Sequence, residues 1–417
     1  MTENNQITKQ PYLLENKIQN YEWGTRGEKA FIPNFIGAEI KNDTPYAELW
    51  IGTNPKACSD VTVDKVNISL ADFIDKFPAE ILGKETAVNC KNRFPYLLKV
   101  LSAAEALSIQ AHPNKEFAKI LHAKDPVNYP DDNHKPEIAI ALDSLTALAG
   151  FKSVSDLLTI FQNNPEITNF IELGNLDSYE GIGASSSTEK TLFLKMVFEN
   201  LLTNAKASPD KVKETVNGLI KRISAKEAKL TETEKLFLEL SAKNSNDDIG
   251  LLVVFFLQMV HLKKGEAIFT GAGIPHAYIK GDIVECMANS DNVVRAGLTS
   301  KFKDIDALKK IAYYNVEPLP IIKNSNELII FPYPAPVEEF NISKIELGKY
   351  SFCSFNTNDS FETLLIAEGE IVISDPLYGT NKYEYSKGAI ILIPAFLEKY
   401  QIYAKSKSII FRVTVNL

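Results

Sequence analysis

"FPYLLKVLSAAEALSIQAH", residues 94 to 112, decides the fold class. Its apolar runs are short, and small residues and an acid (Ala103, Ala104, Glu105) interrupt them, which predicts two strands joined by a turn. Side chains alternate across a strand, so Ser108, Gln110 and His112 share one face while Leu107, Ile109 and Ala111 share the other. A polar face opposite an apolar one suits a solvent-facing edge, and it equally suits the lined interior of a barrel.

The same strand texture extends from the amino terminus to about Gly150. Between about Phe151 and Asn246 the spacing becomes helical, as in "SVSDLLTIFQN" and "TETEKLFLELSAK", where Thr231 and Glu234 predict a capping box. "GIGASSSTEK" (Gly181 to Lys190) lacks the G-K-[ST] ending of a phosphate-binding loop and is expected to be a flexible connection. "IGLLVVFFLQMV", Ile249 to Val260, reads as a buried helix, and its 12 residues fall short of the roughly 20 that a bilayer requires. Strand texture returns from Lys263 to Lys301, and Lys264-Gly265 has a counterpart in Lys387-Gly388, each ahead of a β-rich run that ends in proline. Such a recurrence fits paired jelly-roll barrels.

A chain of 417 residues is expected to form two or three domains, and 45% hydrophobic with 24% charged residues is an ordinary globular balance. The net charge of −8 argues against a nucleic-acid surface, so any anionic ligand must meet locally placed Lys and Arg. The polar start "MTENNQITKQ" precedes no apolar signal core, and Cys58, Cys90, Cys286 and Cys353 lie far apart with no C-x-x-C pair. The expectation is a cytoplasmic protein with free thiols, no membrane span and no nucleic-acid partner.

All five histidines (112, 122, 134, 261, 276) precede residue 277, so the last part of the chain has none to offer a metal. Gln110 with His112, Lys135 with Glu137 and His276 with Tyr278 each share a strand face. Two His, one Glu and a neutral Gln oxygen make a donor set that zinc accepts. His122 and His134 are also available, and spacing alone does not choose among them. His122, on a predicted helix, and His261, after the apolar run, have the setting of structural residues.

"YPDDNHKPE", Tyr129 to Glu137, gathers charges between two prolines, which in most loops marks a solvated turn. Here the stretch resembles, at every specified position, the pattern Y-x-D-x-N-H-K-P-E of the type I phosphomannose isomerase family. "HAYIKGDIVECMANSDNVVRAGLTSK" (His276 to Lys301) resembles that family's second signature, and "LSIQAHPNK", "YEWG" and "AELWIGTNP" resemble further family blocks. Two departures stand out: Ser300 replaces a proline, and Asn54 stands where many relatives carry histidine.

The resemblance implies a mainly β fold with a helical insertion, composed of two cupin-like jelly-roll β-barrels. The expected division is a catalytic barrel in two parts (1–150 and 250–330), an inserted helical domain (151–249) and a metal-free carboxyl-terminal barrel (331–417). It implies one zinc ion (Zn2+) per chain on Gln110, His112, Glu137 and His276. Arg295 is implied as catalytic, with Lys135, His134, Asp291 and Glu285 as candidates for proton transfer. Lys99, Ser108, Tyr278 and Lys301 are implied to touch the substrate, a small sugar phosphate. The implied reaction interconverts mannose 6-phosphate and fructose 6-phosphate through an enediol, linking mannose to glycolysis and GDP-mannose synthesis, in a monomeric enzyme. An amine beside a divalent cation loses its proton more readily, which suits Lys135 to the role of base. A cupin that binds metal or sugar without turnover, or an iron oxygenase on two His and one carboxylate, are the competing readings.

Overall fold

Tyr96–Ala103 and Ile109–Ala111 are the two strands expected of residues 94–112. The structure is a computed structural model and describes residues 7–226, 229–314, 316–325, 327–374 and 381–415. Tyr96–Ala103 is buried along its whole length because it lies inside an antiparallel sheet, between Glu48–Ile51 and His276–Ala288. The next strand across is Glu137–Phe151, which also pairs with Ala267–Thr270 and Leu257–Lys263. Leu98 and Val100 enter an apolar core with Ile138, Ile140 and Val284, while Leu101 and Tyr278 belong to a separate cluster on the opposite face. The polar face of these strands is therefore a lined interior and not a wet edge.

A second sheet of eight strands and a third of four are built mostly from the chain after Ile330. The eight-stranded sheet does not respect the expected division, because Tyr12–Glu15 pairs with Ile390–Ile393 on one side and with Asp60–Val63 on the other. Residues assigned to a 1–150 catalytic unit thus complete the sheet of the 331–417 unit. The gain is a shared core: Tyr12, Leu98, Ile140, Phe340, Leu365 and Phe411 all belong to one buried cluster. At about 1.5–3 kcal/mol for each large apolar side chain buried, this seam makes the two halves one packed body.

The recurrence of Lys264-Gly265 and Lys387-Gly388 has a structural basis. Both glycines have positive φ, +80° and +88°, and each amide bonds to a neighbouring strand before the chain enters Ala267–Thr270 or Ile390–Ile393. A Cβ on Gly388 would sit 2.4 Å from the Phe35 carbonyl, so this turn admits no side chain. Residues 375–380 lie outside the described residues, as do the first six residues of the polar start.

Helices fill most of the chain from Val154 to Ser241, and the capping box of Thr231 and Glu234 is present. A second capping box, Ser186 with Glu189, corrects the reading of "GIGASSSTEK": its end starts the long helix Ser187–Ala207 instead of forming a loose connection. The run Ile249 to Val260 is also corrected. Only Gly250–Val253 is α-helix, and the strand Leu257–Lys263 begins within the run. A continuous apolar run has no period to separate helix from strand, and here pairing with Glu137–Phe151 draws its second half into the sheet. Among the described residues no helix is long and apolar enough to cross a membrane.

Candidate metal centre

Register across the first sheet builds the site. Gln110 is paired with His276 on one side and with Arg295 on the other, and Lys99 is paired with Trp50 and with Glu285. His112 follows the short strand Ile109–Ala111, and Glu137 opens the long strand Glu137–Phe151. These two short rows place side chains that are far apart in sequence on one lined face.

His112, Glu137 and His276 converge with their ligand atoms within 4.8 Å of one another, all buried. The Nδ1 of His112 lies 2.8 Å from the Asn292 carbonyl and the Nδ1 of His276 lies 2.8 Å from the Ile274 carbonyl. A carbonyl only accepts, so each ring carries its proton at Nδ1 and presents the lone pair of Nε2. Those Nε2 atoms face the Glu137 carboxylate, at 2.8 Å for His276 and 3.5 Å for His112. His112 Nε2, His276 Nε2 and Glu137 Oε2 are buried without a hydrogen-bond partner. Burying three lone-pair donors together is costly without a cation, and two imidazoles with a carboxylate suit zinc. Burial and the charge of Lys135 push His112 down to about 4, in the direction of the neutral imidazole that a metal needs.

A cavity of about 340 Å³ opens beside these residues, lined by Ser108, Gln110, Lys135, Tyr278, Asp291 and Arg295, with Lys99, Glu285 and Lys301 also on its wall. Lys135 is buried and its Nζ lies 3.9 Å from Glu137 Oε2. The Tyr278 hydroxyl donates to Glu137 Oε1 at 3.2 Å. Arg295 is half-buried, which lowers its pKa from the ordinary value, and among the described residues no carboxylate pairs with it. Lys301 is at the exposed rim, over the Tyr21 ring.

His134 is the one predicted site residue the structure does not bring here. Its Nε2 lies 2.7 Å from Glu339 Oε1, and it is absent from the cavity wall. Neighbouring residues of a chain entering a strand project to opposite sides, so placing Lys135 inward turns His134 outward. Glu285 is also committed elsewhere, since Lys99 Nζ lies 2.9 Å from Glu285 and 3.6 Å from Glu48. Burial works against the Lys99 charge, but the two carboxylates outweigh it and raise its pKa, keeping the lysine protonated. The other two histidines are structural: His122 Nδ1 contacts the Tyr129 carbonyl, and His261 is exposed on a strand, 3.3 Å from Glu232.

Sequence reasoning missed Glu48, Trp50 and Lys56 on the cavity wall. Trp50 donates to Glu48, and Lys56 pairs with Asp291 at 2.8 Å. Strand parity offered a signal for Glu48 and Trp50, both on one face of "AELWIG". Asp131 was also missed. Its carboxylate accepts from the Asp291 amide, the Ser290 hydroxyl and the Asn292 side chain, so it holds the turn whose Asn292 carbonyl orients His112. One of the three acids in "YPDDNHKPE", Asp131, therefore serves geometry. The departure at Asn54 is local as well: its amide is 3.5 Å from Asp291.

Comparison with known proteins agrees with this geometry. Residues 12–154 match the family described as phosphomannose isomerase type I, catalytic domain. A mannose-6-phosphate isomerase from Mus musculus is 34% identical over 97% of this chain and 96% of its own length. The structure of an alanine variant of phosphomannose isomerase from Salmonella typhimurium superposes with a TM-score of 0.81 at 29% identity, covering 98% of this chain and 100% of that one. A mannose 6-phosphate isomerase solved with zinc bound gives 0.79 at the same identity and coverage.

Proposed function

The chain belongs to the type I phosphomannose isomerase family, and from that premise we propose that its cavity interconverts mannose 6-phosphate and fructose 6-phosphate by proton transfer through an enediol. The activity is that of an aldose–ketose isomerase, and its cofactor is zinc. The observation that carries this reading is the convergence of three buried, unpartnered lone-pair donors just behind a cavity wall that carries Lys135, Lys99 and Arg295.

His112, Glu137 and His276 hold the metal, and Gln110, in register beside His276, is assigned as the fourth ligand. When bound, zinc supplies a Lewis acid for the charge that develops on the sugar oxygens. Lys135 is assigned as the base that moves the proton between the first and second carbons, because it is the buried amine facing both cavity and ligands. Arg295, one strand from Gln110 and paired with no carboxylate among the described residues, is assigned to stabilise negative charge at the reacting end. Lys301, at the exposed rim, is assigned to the phosphate. Lys99 stays protonated between Glu48 and Glu285 and orients substrate hydroxyls alongside Ser108 and Tyr278, while Asp291 is the remaining titratable group of the wall.

All four cysteines are unpaired, which supports a reducing, cytoplasmic setting. The enzyme is assigned as a monomer that links mannose to glycolysis and GDP-mannose synthesis. Purified protein given mannose 6-phosphate should form fructose 6-phosphate, lose that activity to a chelator and regain it with zinc. A zinc-loaded sample that forms no ketose overturns the assignment, and favours a sugar-binding role without turnover.

A further inference from the structure

Glu339 belongs to the carboxyl-terminal half, in the loop between the strands Ile330–Tyr333 and Asn341–Leu347. Its neighbour Phe340 is fully buried in the core shared by the two halves, which anchors that loop. The Glu339 carboxylate reaches into the first half and takes two partners on one oxygen: His134 Nε2 at 2.7 Å and Lys115 Nζ at 2.9 Å. Both partners occupy matching places. Lys115 is the third residue after His112 and opens the helix Lys115–Lys124, and His134 is the third residue before Glu137.

Resting on the zinc-site reading above, we propose that Glu339 is a positioning residue for the metal centre, a staple that fixes the two ligand-bearing segments of the first half to the carboxyl-terminal half. It touches neither ligand nor cavity, and acts through the backbone on which His112 and Glu137 are mounted. Among the described residues no backbone hydrogen bond joins these two segments directly; each is placed by the strand His276–Ala288, and the shared Glu339 carboxylate is a side-chain tie between them. Burial pushes the Glu339 carboxyl up, but hydrogen bonds from His134 and Lys115 outweigh it and hold the group down to about 2, so the staple is charged at neutral pH. This gives the outward turn of His134 a purpose: while it holds Glu339, the next residue, Lys135, faces the cavity. It also gives the carboxyl-terminal part of the chain, which has no histidine after residue 276, a role in the metal centre.

The test measures zinc release from the full-length, zinc-loaded protein into excess chromogenic chelator, together with kcat and KM. Glu339→Gln keeps the volume and removes the charge. It is expected to release zinc about tenfold faster and to lower kcat by a similar factor with KM little changed, the lower range seen when groups supporting metal ligands are lost. Glu362→Gln breaks a more deeply buried ion pair, with Arg412, between two strands of the eight-stranded sheet, and is expected to lower stability while leaving zinc release unchanged. A Glu339→Gln protein that releases zinc within about twofold of the wild-type rate overturns the proposal, and so does equal acceleration in both variants, which marks general loosening. If Glu339→Gln does not fold, Lys115→Met, at an exposed position, removes one arm. It should speed release by about threefold, and a wild-type rate there overturns the proposal as well. Zinc release needs no substrate, so a protein that binds zinc without isomerising mannose 6-phosphate refutes the assigned reaction and leaves this comparison standing.

Discussion

Replacing Lys99 by methionine removes the cation between two buried carboxylates while keeping the length of the side chain. Lys99 and Glu285 are 6% and 3% exposed, and Glu48 is 8% exposed, so water does not replace the lost charge. Breaking one side of such a buried pair costs about 3–5 kcal/mol. A route that avoids a bare buried charge is protonation of Glu285, whose carboxyl burial already raises above its ordinary 4.5, with Lys99 pulling it back and Glu137 pushing it further up. Glu48 keeps its Trp50 hydrogen bond. Holding a proton at pH 7 that the unfolded chain gives up near 4.5 costs two and a half pH units at about 1.4 kcal/mol each, or about 3.5 kcal/mol. Between those pH values the folded variant carries one proton more than the unfolded chain, so its stability falls as pH rises and recovers on acidification. Urea unfolding of metal-free wild type and Lys99→Met should give a deficit that narrows by about 2–3 kcal/mol between pH 7.5 and pH 5.5. A deficit under about 1 kcal/mol, or one that ignores pH, would show that Lys99 is not the buried partner described.

Three other outcomes follow from the site. Arg295→Ala should retain its zinc but lose about 10²-fold or more in turnover, the usual scale for one charge-stabilising donor, and wild-type turnover would remove Arg295 from the reaction. Turnover in deuterated water should wash deuterium into the carbons that exchange hydrogen, and Lys135→Met should slow that wash-in together with isomerisation. Complete retention of the original hydrogen would favour a hydride shift or a base shielded from solvent. Asp131→Ala, which frees the Ser290–Asn292 turn, should cost about 3 kcal/mol in thermal or urea unfolding and weaken zinc binding through His112; unaltered zinc affinity would separate that turn from the ligand.

Strand parity carried much of the site, because it is a local property. Ser108, Gln110, Lys135 and Tyr278 are on the cavity wall where their positions in the pattern put them. The start of the helix Glu232–Ser241 was legible for the same reason, since the capping box of Thr231 and Glu234 spans only four residues. What the sequence hid is non-local. Nothing near Tyr12 announces that it pairs with Leu392, and nothing near His134 announces Glu339, 205 residues away. His134 looked like a proton-transfer residue because its partner was invisible, whereas Lys135 beside it gave the same local signal and faces inward. The run from Ile249 failed for another reason: uniform hydrophobicity records burial and leaves the backbone conformation to the neighbours that pair with it.

The central claim is that one zinc ion on His112, Glu137, His276 and Gln110 supports the isomerase reaction. It is tested most directly by titrating zinc into chelator-stripped protein while following the conversion of mannose 6-phosphate, with His276→Ala run in parallel. Activity should rise linearly to one equivalent of zinc and then stay level, and His276→Ala should neither retain the metal nor turn over, since losing a ligand from such a set weakens binding far more than the protein can offset. Activity that continues to rise to a second equivalent, or a His276→Ala protein that isomerises at the wild-type rate, would contradict the account.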